Sequence, residues 1–429
     1  MKILRAYKVE LKPNNAQRSL FQQAAGCARW AYNWGLRKKI DAFAARKAAI
    51  AANTPVSGLP KTPTAIDLHK QLNILKKAPK EDGGVPWMYK SSKSAPQNAL
   101  RNLDKAFDNF FRKCKKKTKG PKGFPRFKSK KNGIGTFQVE TTHTSATHIQ
   151  LPRIGSVRLK EHDYIPTDGS IKILSVVVSE KAGRWFASVQ VEQEVPEVPD
   201  TTGLPVVGVD VGISELATCS DTRGFANPKA LTNGLKKLKR LQRKGSHKPK
   251  GSNNRRKATV KVSKQHYRIS CIRKDAMHKT SNAITKHCSV IGLEDLNVEG
   301  MKKNRKLALA VSDASMSELH RQIRYKAAWR CVRIHTVGRW YPSTKQCSNC
   351  HEINHDITLK DRIFHCPRCG LRICRNLNAA INLEHEAVSS TVTACGVEGA
   401  DKSCKRLVKP AMMKQEINTD QDLSLIGSV

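Results

Sequence analysis

The chain has no apolar run near the roughly 18 residues that a membrane-crossing helix requires, which argues against a membrane partner. Its opening residues, Met1–Leu4, pass straight into strand-like sequence without an apolar signal core, so a cytosolic protein with reduced thiols is expected. Acidic residues are scarce: 35 Asp and Glu stand against 78 Lys and Arg, a formal net charge of +43. Two stretches hold no acid at all, Arg112–Lys131, with eleven Lys or Arg, and the interval between Asp221 and Asp275. Such an excess opposes compaction unless a polyanion neutralises it, and nucleic acid is the natural partner, since each phosphate contact releases counterions. A ribosomal-type protein would carry the same charge. Cysteine is present thirteen times, but too unevenly and in too long a chain for a secreted disulfide scaffold.

What is there reads as at least two domains. Ile3–Leu11 alternates as a strand, and Pro13-Asn14-Asn15 turns into a helix over 16–47 with Phe21, Ala25, Ala28, Tyr32 and Leu36 on one face. A second helix is predicted over 94–117, striped by Ala99, Leu103, Ala106, Phe107 and Phe110. Both stripes read as core. The basic stretch 112–131, broken by Gly120-Pro121 and Gly123-Phe124-Pro125 and interleaved with Phe127, suits a loop laid along a phosphate backbone. Residues 135–195 read as β-rich, with IKILSVVVSE and RWFASVQVEQE flanking a turn at Lys181-Ala182-Gly183. The Pro-rich connector Val195–Leu204 is the clearest domain boundary. Beyond it a buried-type strand in VVGVDVGI (Val206–Ile213), a long basic helical segment, a strand ending at Ile291–Leu296, a helix near Ser315–Arg330 and a strand near Arg333–Val337 alternate as in an α/β domain.

Two motifs carry chemistry. Cys347-x-x-Cys350 and Cys366-x-x-Cys369, fifteen residues apart, have zinc-ribbon spacing and offer four thiolates to one tetrahedral, structural zinc. Asp210 and Glu294 each stand near the end of an apolar strand. Two carboxylates at adjacent strand ends are what a two-metal nuclease needs to bracket a scissile phosphate.

In order along the chain, GCARWAYNWGLR, GFPRFKSK, VVGVDVGI, NPKAL (Asn227–Leu231), LKRLQRK, IGLEDLNVEGM, RWYPSTKQCSNC and CGLRICRNLNAAINL resemble the landmarks of TnpB, the transposon-encoded family ancestral to type V CRISPR effectors. The resemblance spans about residues 1–386, and the tail looks like the family's C-terminal extension. It implies an α/β fold with a β-barrel and a helical lobe: a wedge-like barrel from 1–11 and 124–197, an inserted helical recognition lobe at 12–123, a RuvC/RNase H-like domain from 204–340 and 371–386, a zinc ribbon at 341–370 and a disordered tail at 387–429. It also implies guide RNA and a double-stranded DNA target as partners, a monomer bound to RNA, and a cytoplasmic, nucleoid-associated location in a bacterium. By position, Lys93 and Gln97 fall at the target-adjacent motif. Lys115, Lys116, Lys117, Arg126 and Lys128 in one basic stretch, and Arg240, Arg243, Arg255 and Arg256 in the other, are candidate contacts to nucleic-acid backbone.

The resemblance also exposes a loss. Asp210 matches the first catalytic acid of the family and Glu294 the second. The third comes from a DRDxNAA-type motif that here reads Cys374-Arg375-Asn376-Leu377-Asn378-Ala379-Ala380, with Asn376 in the catalytic place. An amide brings no negative charge, and a hard cation such as magnesium favours anionic oxygens, so the second metal is expected to be weakened. Asp295 is expected to face away from Glu294, and Glu384 lies over two helical turns from Asn376. The expectation is a guide-directed DNA binder and transcriptional repressor that does not cut. The alternative is an RNA-guided endonuclease supporting transposon retention.

Overall fold

A computed structural model describes residues 2–52, 61–116, 120–130, 133, 135–140, 142–194, 201, 203–358 and 360–395, with side chains through 390. The chain divides into two compact units that part at residues 195/196. Lys117, most of the Pro-rich connector and residues 396–429 lie outside the described residues.

The N-terminal unit comprises β1 (Lys2–Lys12), α1 (Asn15–Ala51), α2 (Ala65–Lys77), α3 (Ser94–Lys115), β2 (Thr136–Val139), β3 (His143–Thr144), β4 (His148–Leu151), β5 (Gly155–Leu159), β6 (Ile171–Lys181) and β7 (Arg184–Glu194). Its strands form one antiparallel sheet in the order β2-β6-β7-β1-β5-β4-β3. The β6–β7 hairpin turns at Ala182 and Gly183, both at positive φ (55° and 79°), as a tight hairpin turn demands. α1 starts on a capping box, Asn14 accepting from the Gln17 amide while the Gln17 side chain accepts from the Asn14 amide. The helices form an insertion between β1 and β2 and share one core with the sheet, in which Phe21, Leu36, Leu100, Phe137 and Val189 are buried together. α1 and α3 approach closely because residue 35 is glycine: a Cβ there would lie 2.7 Å from Leu100 Cδ2. Asp104 ties the three helices, meeting Lys39 Nζ at 2.8 Å and accepting from the Ala65 amide at 2.6 Å.

The C-terminal unit contains β8 (Val206–Asp210), β9 (Glu215–Cys219), β10 (Gly224–Ala226), α4 (Ala230–Ser246), α5 (Asn253–Ile284), β11 (Val290–Glu294), α6 (Val298–Lys303), α7 (Ala308–Ala314), α8 (Met316–Trp329), β12 (Arg333–Val337), β13 (Ile363–His365), β14 (Arg372–Cys374) and α9 (Arg375–Cys395). Five strands lie in the order β10-β9-β8-β11-β12, with β8, β11 and β12 parallel and β9 and β10 antiparallel. The parallel strands are continuous apolar runs because helices cover them, and Val207, Val209, Ile291 and Leu293 pack with Leu319 and Ile323 of α8. The expected long basic helix is two helices, broken at His247–Ser252, where Gly251 takes φ +86° and Ser252 caps α5 by accepting from the Arg255 amide. α9 runs to Cys395, past the expected end at 386, because Leu383 and Ala387 still face the core. Among the described residues no helix is long and apolar enough to cross a membrane.

Candidate carboxylate site and zinc ribbon

The pairing of β8 with β11 ends at Val209↔Leu293, so Asp210 and Glu294, one residue further on each strand, stand side by side at the same sheet end. α9 lies directly on these two strands. A Cβ on Gly208 would fall 1.9 Å from the Ala380 carbonyl oxygen, and one on Gly292 would fall 2.3 Å from that of Leu383. The two glycines let the helix sit against bare backbone. Asn376 is one turn before Ala380, about 5–6 Å along the helix, and Asp210 is two residues past Gly208, about 7 Å along the strand. Asp210 feels the charge of Arg375, the first residue of α9.

Burial pushes the Asp210 carboxyl up to about 7, reinforced by the charges of Glu294 and Glu215 and opposed by the Arg375 guanidinium. Glu294 is also raised, first by burial and then by neighbouring Asp295. Asp295, just past the end of β11, is bound by Arg339 at 2.7 Å. Glu215 was missed by sequence reasoning. It lies on β9, whose Thr218 pairs with Asp210 across the sheet, and its carboxylate accepts from the Thr218 hydroxyl at 2.7 Å. Its position five residues after Asp210 in a hairpin was the available signal. The carboxylates at this sheet end are Asp210 and Glu294, with Glu215 nearby on Thr218, and half-buried Asn376 stands in the first turn of α9.

The ribbon closes onto the same helix. Four thiols, Cys347, Cys350, Cys366 and Cys369, lie within 4.8 Å of one another. The Cys347–Cys369 and Cys350–Cys366 sulfurs are 3.6 and 3.5 Å apart. A zinc–sulfur bond of about 2.3 Å in a tetrahedron sets sulfurs about 3.8 Å apart, so the four fit zinc. The Asn349 and Cys369 amides point at the Cys347 and Cys366 sulfurs, at 3.4 and 3.5 Å. Two further residues that sequence reasoning did not single out fasten the ribbon. Asn378 donates to the Gln346 carbonyl (2.6 Å) and accepts from the Ser348 amide (2.9 Å). Asn382 donates to the carbonyls of Ser343 (2.8 Å) and Gln346 (2.7 Å). Arg375 is held by its amide to the Arg362 carbonyl and by its guanidinium to that of Thr358, each at 2.9 Å.

The basic candidates divide into free and engaged groups. Lys115, Lys116 and Arg126 are exposed, as are Arg240, Arg243 and Arg256 on the α4–α5 hairpin, whereas Arg255 donates to the Lys248 carbonyl and pins the hairpin turn. The hairpin is oriented by buried Asp313 of α7, which accepts from the Leu231 and Thr232 amides and the Thr232 hydroxyl at 2.8–2.9 Å. The loop 120–130 is anchored on the helices: Phe124 packs edge-on against Phe107 and Phe110, Phe127 lies under Arg37, and Lys128 Nζ sits 4.0 Å from the Tyr32 ring centre. Lys128 is exposed as a residue, but burial of its ammonium lowers its pKa. Lys93 stands just before α3, without a capping bond, and is exposed, with half-buried Gln97 four residues further on.

Paired carboxylates at neighbouring strand ends, a final helix across them and a four-cysteine ribbon inserted before that helix define a RuvC-like, RNase H-type domain joined to a β-sheet unit with a helical insertion. Family models match residues 188–305 ("Probable transposase"), 317–383 ("Cas12f1-like, TNB domain") and 1–48 ("Helix-turn-helix domain"). The last description departs from the local backbone, where residues 2–51 hold one strand and one unbroken helix. Two relatives carry the name "Putative RNA-guided DNA endonuclease". One, from Streptomyces pristinaespiralis, is 32% identical over 396 residues, covering 92% of this chain and 91% of the relative. The other, InsQ of Escherichia coli K12, is 30% identical over 413 residues, covering 92% and 95%. A solved complex of Cas12f1 with single guide RNA and target DNA aligns at 15% identity and a TM-score of 0.33, over 89% of this chain and 99% of that one, too weak a likeness to bear on the fold. The chain belongs to the TnpB family of RNA-guided DNA endonucleases.

Proposed function

We propose that this chain is an RNA-guided DNA-binding protein whose cutting step is disabled at Asn376 and which represses transcription by occupying its target. The reading is supported by Asn376 in the first turn of α9, a helix that packs at Gly208 and Gly292 on the two strands ending in Asp210 and Glu294. Removing one member of a unit that acts together commonly lowers a rate by orders of magnitude. Binding depends on other parts. The exposed cations of the α4–α5 hairpin, held by Asp313, and those at the end of α3 suit the backbones of guide RNA and DNA, while base pairing reads sequence. Lys93 and Gln97 are proposed to meet the target-adjacent motif, and the protein to work as a monomer with its RNA at the bacterial nucleoid.

A second reading rests on Glu215, whose charge is felt by Asp210: an active endonuclease in which this acid takes the third place. One experiment separates the two. The RNA that co-purifies with the chain is sequenced, and a matching duplex is incubated with the complex and magnesium. The expected outcome is binding without cleavage by the native chain, with cutting gained in Asn376→Asp. Native cleavage that Asn376→Asp does not improve and Glu215→Gln abolishes would establish the second reading instead.

A further inference from the structure

At the carboxylate end of the five-stranded sheet one side chain is left bare. Strand β12 pairs in parallel with β11 as far as Glu294↔Val337, so the turn that leaves it, Gly338–Tyr341, rises at the same sheet end as Glu294. Trp340 in that turn is 91% exposed, the barest large apolar side chain among the described residues. Neighbouring strands lie about 4.8 Å apart and three residues span at most about 10 Å. The Trp340 backbone is therefore within roughly 15 Å of that of Glu294, a reach of about four stacked nucleotides.

The turn is fastened on both sides. The Tyr341 amide donates to the Gly338 carbonyl at 3.1 Å, and the Arg339 guanidinium holds Asp295, next to Glu294, at 2.7 Å. Further on, the Lys345 and Gln346 amides both donate to the Pro342 carbonyl at 2.9 Å, and Asn382 of α9 donates to the Ser343 carbonyl at 2.8 Å. Half-buried Tyr341 feels the charge of Glu386 on α9, so the turn packs one aromatic inward and holds the other out. Two exposed cations stand on either side along the chain: Arg324 on the Thr336 hydroxyl (3.2 Å) and Lys345 on the His355 carbonyl (3.5 Å). Neither has a carboxylate partner among the described residues. An indole set out on a rigid turn adds nothing to the core and is already arranged for stacking.

We propose that Trp340 is a stacking platform for one unpaired base of a DNA strand brought to the Asp210–Glu294 end of the sheet. An indole face accepts every base, so the platform holds the strand without reading its sequence, while Arg324 and Lys345 meet its phosphates. The inference rests on the guided DNA binding proposed above, in which pairing with RNA leaves single-stranded DNA. It does not depend on whether the pocket cuts. The base comes from the strand that the RNA displaces or from the unpaired continuation of the other.

2-Aminopurine, bright when unstacked and quenched against an indole, tests it. The probe is placed at successive positions of one strand or the other in a target bound by the full RNA-loaded chain. Quenching is expected at a position of an opened strand, and that strand identifies the source. Trp340→Ala, at so bare a position, should relieve the quenching with the melting temperature unchanged, and Trp340→Phe should keep part of it. 5-Iododeoxyuridine at the same position should photo-cross-link to the peptide that carries Trp340. Fluorescence that Trp340→Ala leaves unaltered at every opened position overturns the proposal, as do cross-links that never reach that peptide. A native complex that does not bind its target would instead overturn the proposed function, and the platform with it.

Discussion

Replacing Asp210 with asparagine should make the C-terminal unit more stable at neutral pH. The native carboxyl is pushed up to about 7 from 3.8, chiefly by burial and next by the Glu294 charge. The folded chain therefore binds this proton more tightly than the unfolded one, and stability falls as pH rises from about 4 to about 7, then levels. The gap between 3.8 and about 7 is worth roughly 4 kcal/mol at most. Asp210 keeps partial solvent contact, which brings the expectation to about 2 kcal/mol. Asparagine carries no such proton, so the stability difference between variant and native chain should grow by that amount between pH 4.5 and pH 8. Hydrogen exchange of the β8 and β11 amides, corrected for intrinsic rates and run with a chelator present, reads this locally without requiring the two units to unfold together. An equal difference at both pH values, or a less stable variant at pH 8, would refute the reasoning.

Gly208→Ala should be among the most damaging single substitutions, because its Cβ would fall 1.9 Å from the Ala380 carbonyl oxygen; a loss above about 3 kcal/mol is expected in thermal unfolding. Stripping zinc should expose residues 341–374 to limited proteolysis and release one ion per chain, and Cys347→Ser should reproduce the protease sensitivity without chelator. Asp313→Ala removes three hydrogen bonds to the start of α4, so the Leu231 and Thr232 amides should lose about 1–3 kcal/mol of exchange protection.

Strands were legible where burial forces continuous apolar runs. Arg333–Val337 lies where expected, and the strands ending at Asp210 and Glu294 follow from their valines, isoleucines and leucines. Cysteine spacing anticipated the ribbon because metal ligation depends on local geometry. What the sequence concealed depends on distant chain coming together. Glu215 reaches Asp210 only through the β8–β9 hairpin register, and Asn378 and Asn382 become clamps only once Gln346 lies under α9. α2 went unread because its apolar face is short and its neighbours polar. Nothing local in the sequence indicates that Phe124 meets Phe110 or that Lys128 stands over Tyr32.

The asparagine clamp has a consequence for assembly. The first turns of α9 are fastened to backbone carbonyls of a small segment built on one two-stranded hairpin, buried Phe364 and the four-cysteine cluster. A disturbance of that segment, whether by loss of a thiol or of an ion the four sulfurs would hold, is transmitted through Asn378 and Arg375 to the start of the helix lying on the strands of Asp210 and Glu294.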